Sequence, residues 1–90
     1  MTVDDGGVRT ATITVRYWAA ARAAAGRAEE TTEVGTLDEI VARLGERHGD
    51  RLGRIFGYCS FLVDGAAVRD SGGAIPAGSV LEVLPPFAGG

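Results

Sequence analysis

One segment restricts the fold more than any other: Thr36-Leu37-Asp38-Glu39, followed by apolar residues at helical spacing. A threonine hydroxyl can accept the backbone N–H three residues on, and a glutamate there can accept the threonine's own N–H. Two orphaned donors of a helix N-terminus are then satisfied together. Leu37, Ile40, Val41 and Leu44 recur along one side, Asp38 and Glu39 sit near the positive end, and Gly49 supplies a stop. The spacing predicts one main helix from residue 37 to about 48. Its apolar face needs a layer to pack on.

The flanking sequence supplies strands. Ile13, Val15 and Tyr17 alternate with Thr12, Thr14 and Arg16, the pattern of a half-buried strand. Trp18 to Ala25 is Ala-rich and reads as a short helix or turn stopped by Gly26, and Glu29 to Val34 reads as a second strand. Residues 50–57 read as an irregular or short helical segment anchored by Leu52, Ile55 and Phe56. Tyr58 to Val63 reads as a strand, Asp64-Gly65 as a hairpin turn, and Ala66 to Arg69 as the returning strand. Ser71-Gly72-Gly73 and Pro76-Ala77-Gly78 carry turn chemistry before a last strand from Ser79 to Leu84. The order predicts an α+β domain with a mixed sheet and the main helix packed across it. By fold-level analogy with ubiquitin, the first and last strands pair in parallel at the sheet centre.

Composition removes several function classes. Ninety residues suit one domain with a modest core, and a formal charge of −3 is a poor match to nucleic acid. All nine basic residues are arginine, so no lysine is available for Schiff-base or isopeptide chemistry. A lone cysteine, Cys59, excludes an internal disulfide and a four-cysteine metal site. No apolar run approaches the roughly 20 residues that span a bilayer. Residues 1–10 read as a flexible polar leader rather than a signal peptide, which points to a cytoplasmic protein. No Walker-type phosphate loop is present.

After the domain, read as residues 11–84, comes a tail of different character: Pro85-Pro86-Phe87-Ala88-Gly89-Gly90. Two prolines forbid further ladder pairing and stiffen the exit, while two glycines leave no side chain beside the last carboxylate. Six extended residues reach about 20 Å, enough to enter a deep site on another protein.

The Val15-Arg16-Tyr17-Trp18-Ala19-Ala20-Ala21-Arg22 run, the capped helix, Leu62-Val63-Asp64-Gly65, and above all Gly78 to Gly90 with its Pro-Pro-x-x-Gly-Gly ending resemble the MoaD/ThiS-type sulfur carriers. The likeness covers roughly residues 11–90 and is greatest to the small subunit of molybdopterin synthase. It implies a β-grasp (ubiquitin-like) fold and a protein that is not an enzyme on its own. It implies that Gly90 is adenylated by a MoeB/ThiF-type activating enzyme using ATP, then thiocarboxylated by a sulfur donor. The charged tail, Pro85, Pro86, Phe87, Ala88, Gly89 and Gly90, would enter the large synthase subunit, in a heterotetramer, for dithiolene formation in molybdenum cofactor biosynthesis. No intrinsic cofactor, metal, nucleic acid or membrane is implied. Sulfur delivery to cysteine or thiamine synthesis, and a non-covalent ubiquitin-like module, are the alternatives.

Other reactive side chains have simpler readings. Cys59 could carry a persulfide, but beside Phe61 and Val63 it reads as a small packing residue. His48 could be a base, yet in a last helical turn it complements the dipole. Asp64 belongs to a turn. Asp4-Asp5 reads as part of a solvated leader rather than a metal site.

Overall fold

The computed structural model describes residues 11–86. Ten elements follow in order: β1 (Thr12–Tyr17), α1 (Ala19–Ala25), β2 (Glu29–Glu33), β3 (Gly35–Thr36), α2 (Leu37–His48), α3 (Asp50–Phe56), β4 (Ser60–Val63), β5 (Ala66–Ala67), β6 (Ala74–Ile75) and β7 (Val80–Leu84). The leader expected over residues 1–10 and the tail residues Phe87 to Gly90 lie outside the described residues.

Five strands form a mixed sheet in the order β2-β1-β7-β4-β5, with β1 and β7 parallel at its centre and the other pairings antiparallel. Parallel neighbours need a long crossover, and everything between Trp18 and Ser79 supplies it. Alternation in β1 and β7 puts Ile13, Val15, Tyr17, Leu81 and Val83 on one face, all buried. The main helix α2 meets that core with Leu37, Ile40 and Leu44, while Val41 is half-buried. Its capping box is formed as the sequence dictates: Glu39 N–H donates to Thr36 Oγ1 at 3.1 Å and Thr36 N–H to Glu39 Oε1 at 2.9 Å. This is the β-grasp arrangement.

The structure decides one open sequence expectation and shortens two others. Residues 50–56 are a true helix, entered through Gly49 at φ +108°, so α2 and α3 share that residue as stop and start. The strand expected from Tyr58 begins only at Ser60. Tyr58 N–H and Cys59 N–H donate to the carbonyls of Ile55 and Phe56, holding both residues in the last turn of α3. The return strand is two residues long rather than four, because Asp70 turns the chain by accepting Gly72 N–H at 2.9 Å. A small ribbon absent from the sequence reading joins β3 to β6 and closes the loop over the start of α2. Asp64-Gly65 forms the expected hairpin turn, with both residues at positive φ.

Candidate functional site

The tail leaves from the C-terminal end of β7, the central strand. Burial at Leu81 and Val83 continues to Pro85, whereas Pro86 is exposed. The tail is therefore rooted at Pro85, and Pro86 stands in solvent. Phe87, Ala88, Gly89 and Gly90, the remaining expected tail residues, lie outside them.

Two features ring this exit. Among the described residues the large hydrophobic side chains left exposed are Trp18, at 42%, and Tyr58, at 72%. Trp18 follows Tyr17, which pairs with Val83, and its N–H donates to the Val83 carbonyl at 3.2 Å. Tyr58 stands just before β4, whose first residue pairs with Leu84. Both aromatics therefore lie at the end of the sheet from which the tail departs. Alternation along β1 could have revealed Trp18, since positions 12, 14, 16 and 18 share the outward phase. Its reading as the start of an Ala-rich turn concealed this.

Among the described residues, those on the outward face of the sheet are exposed or half-buried rather than sealed. Leu62, Val80, Glu82 and Leu84 are half-buried there, with Ala67 at the edge, and Arg16 lies 3.5 Å from Glu29 and 3.8 Å from Glu82. Exposed ion pairs of this kind contribute little to stability. Apolar side chains with a polar rim at the root of the tail form the kind of surface a partner covers.

Beneath the same end of the sheet lies a buried polar cluster that the sequence reading did not find. The Glu30 side chain is 6% exposed. Its Oε2 accepts from Tyr17 OH and from His48 Nε2, each at 2.5 Å, and its Oε1 accepts from Arg47 at 3.0 Å with Arg27 at 3.8 Å. Burial pushes the Glu30 carboxyl up, but the bonds from Tyr17, His48 and Arg47 outweigh it and hold it below the usual carboxylate range. Burial, then the bond to Glu30 and its charge, push the Tyr17 phenol far above its ordinary value. The Glu29-Glu30-Thr31-Thr32-Glu33 strand has no apolar alternation, so its inward phase was not legible. His48 is thus a hydrogen-bond partner of Glu30 besides lying in a last helical turn.

The remaining candidates fall to structural roles. Cys59 is half-buried ahead of the strand, its Sγ donating to the Ile55 carbonyl at 3.3 Å, and burial pushes the thiol up to about 11. It is protonated at neutral pH and a poor nucleophile there. Asp64 Oδ1 accepts Val80 N–H at 2.9 Å and ties the hairpin to β7. Asp4 and Asp5 lie outside the described residues, among which no three His, Cys, Asp or Glu side chains converge on a metal position. No helix among them is long and apolar enough to cross a membrane. Two clefts of about 470 and 380 Å³ open between α2 and α3, around Val41, Gly45, Gly53 and Phe56, and neither is lined by β1 or β7.

Comparison with known proteins follows this geometry. A protein assigned as molybdopterin converting factor subunit 1 from Pyrococcus furiosus superposes with a TM-score of 0.74 at 24% identity, covering 86% of this chain and 99% of that one. Small archaeal modifier protein 1 of H. volcanii gives 0.72 at 24% identity, covering 84% and 98%. A complex of subunits 1 and 2 of molybdopterin-converting factor from Helicobacter pylori gives 0.67 at 22% identity, covering 88% and 99%. These likenesses establish the fold. No curated protein matches the sequence significantly. Residues 15–90, from mid-β1 through the Gly-Gly tip, match the ThiS family, and the chain is a member of that family of small ubiquitin-like sulfur carriers.

Proposed function

We propose that Gly90 is the carboxylate this carrier loads. An activating enzyme of the MoeB/ThiF type would join it to AMP from ATP, and a sulfur donor would displace AMP to leave a thiocarboxylate. A carboxylate is a poor electrophile, and the mixed anhydride supplies a leaving group. The observation that carries the reading is the family match running through Gly90 on a chain whose central strand leads directly into Pro85-Pro86-Phe87-Ala88-Gly89-Gly90. The bases and phosphate-binding groups for these steps belong to the partners.

The sulfur acceptor in this reading is a pterin precursor of the molybdenum cofactor, reached by inserting the tail into the large subunit of molybdopterin synthase in the cytoplasm. Support comes from the Pro-Pro-x-x-Gly-Gly ending and from the Helicobacter pylori neighbour, which is a complex of subunits 1 and 2. The ring of Trp18, Tyr58, Leu84 and Leu62 around the tail root is the surface such a partner would cover. A second reading is favoured by the neighbour from H. volcanii, a modifier protein: the activated tail would pass to a protein amine.

Intact-mass measurement of the chain from its native cell tests this. Sulfur in place of one oxygen on a terminal Gly90 is expected. A tail found only joined to other proteins would favour the modifier reading. An unaltered carboxylate in cells making molybdenum cofactor would remove the carrier assignment.

A further inference from the structure

Glu30 faces donors on every side: Tyr17 from β1, Arg27 from the loop before β2, and Arg47 and His48 from the end of α2. The Tyr17 and His48 rings also meet edge to face, at 88° and 6.2 Å between centroids. Such a site requires an ionised carboxylate. A proton on Glu30, or the NH2 of a glutamine, would remove the charge that the arginines face and leave the Tyr17 hydroxyl a neutral partner in place of a carboxylate, a weaker bond than the charge-assisted one. The cluster therefore holds Tyr17 most firmly while Glu30 is charged.

What Tyr17 holds is the strand end bearing Trp18. Immediately after Trp18, Ala19 lies at φ +48°, a left-handed conformation that a residue with a Cβ adopts at a cost of about 1 kcal/mol or more. Such a conformation persists only where its surroundings over-determine it. On the far side the Trp18 carbonyl accepts the N–H of Ala21 and Arg22, fixing the start of α1. On the near side Trp18 N–H donates to the Val83 carbonyl, and Tyr17, 2% exposed, adds its own side-chain anchor through the bond to Glu30.

We propose that Glu30 is a positioning residue for the docking surface at the tail root, fixing Trp18 through Tyr17 and releasing it when the carboxylate takes up a proton. The inference rests on reading Trp18 as part of that surface, and the experiment separates the two.

Trp18 is the chain's only tryptophan, so its fluorescence reports on this point alone. Acrylamide quenching of Trp18 and far-UV circular dichroism would be followed together from pH 8 downward, on the full chain and on Tyr17→Phe and Glu30→Gln. In wild type the quenching constant is expected to rise in a step at a higher pH than the loss of helix signal. Tyr17→Phe keeps the buried ring and removes only the hydroxyl, so it is expected to show raised quenching already at pH 7 with its helix signal intact. Coincident transitions in wild type would overturn the proposal, because Glu30 would then hold the whole fold rather than the tail root. Quenching of folded Tyr17→Phe equal to wild type at pH 7 would overturn it as well, whether or not Glu30→Gln folds. Calorimetric titration onto the large synthase subunit is expected to show Tyr17→Phe about fivefold weaker, the scale of one hydrogen bond. Unchanged affinity in Trp18→Ala would instead sink the docking reading and leave the fluorescence result standing.

Discussion

The two faces of the central sheet are built from the same strands and serve opposite ends. On the inner face Ile13, Val15, Tyr17, Leu81 and Val83 are sealed under the helices. On the outer face Thr14, Arg16, Val80, Glu82 and Leu84 stand one residue out of phase with them and are exposed or half-buried. A period of two divides each strand between folding and recognition, so a change at one residue should act mainly on one of these, Tyr17 with its link to Trp18 being the exception.

The tail offers the sharpest break between the two. Removing Gly90 shortens the reach by about 3.5 Å, against a tolerance near 1 Å for a positioned reaction. Sulfur loading by the activating enzyme, ATP and a sulfur donor should fall to background, while the melting temperature stays at the wild-type value. Loading at wild-type rate would end the carrier proposal. Extending the chain past Gly90 should be as harmful, since an amide replaces the carboxylate.

An inner-face change should do the converse. Leu81→Ala is expected to cost about 3 kcal/mol in a denaturant titration, from lost burial and the cavity left behind. If that variant kept full stability, β7 would not be the core strand described here.

Acid tests the polar part of the inner face. Glu30 has its folded pKa below its unfolded value, so its contribution is present above the usual carboxylate range and lost as pH falls through the folded value. Tyr17 is raised, so its contribution is present below a pH of about 10 and lost as pH climbs beyond that. Stability should therefore decline on both sides of neutrality. Glu30→Gln should flatten the acid limb, and an acid limb as steep as in wild type would detach Glu30 from it.

On the outer face, Trp18→Ala should weaken docking to the large subunit by about 2 kcal/mol. Because Trp18 lies outside the sealed core, stability should move by about 1 kcal/mol or less. A variant that lost stability and kept affinity would reverse the assignment of faces.

The smallest effect belongs to Cys59→Ser. A serine hydroxyl can keep the bond to the Ile55 carbonyl, so the variant should lose about 1 kcal/mol or less and load sulfur normally. Loss of loading in a folded Cys59→Ser would move the sulfur site.

Local chemistry made much of this molecule legible in the sequence. The capping box at Thr36 and Glu39, the αL stop at Gly26, the Asp64-Gly65 turn and the alternation of Ile13, Val15 and Tyr17 all stand where short-range patterns placed them. Each depends on residues within a few positions of one another, so the chain itself specifies them. The Pro-Pro and Gly-Gly pattern is of the same kind. What the sequence could not reveal was long-range: Glu30 meeting Tyr17, Arg47 and His48 across 13 to 18 residues, and Gly35-Thr36 meeting Ala74-Ile75. In a strand of glutamates and threonines no residue announces its inward phase, because polar side chains fit either face until a partner is supplied. Only the closed fold, by burying one carboxylate against four donors, chose Glu30 over Glu29.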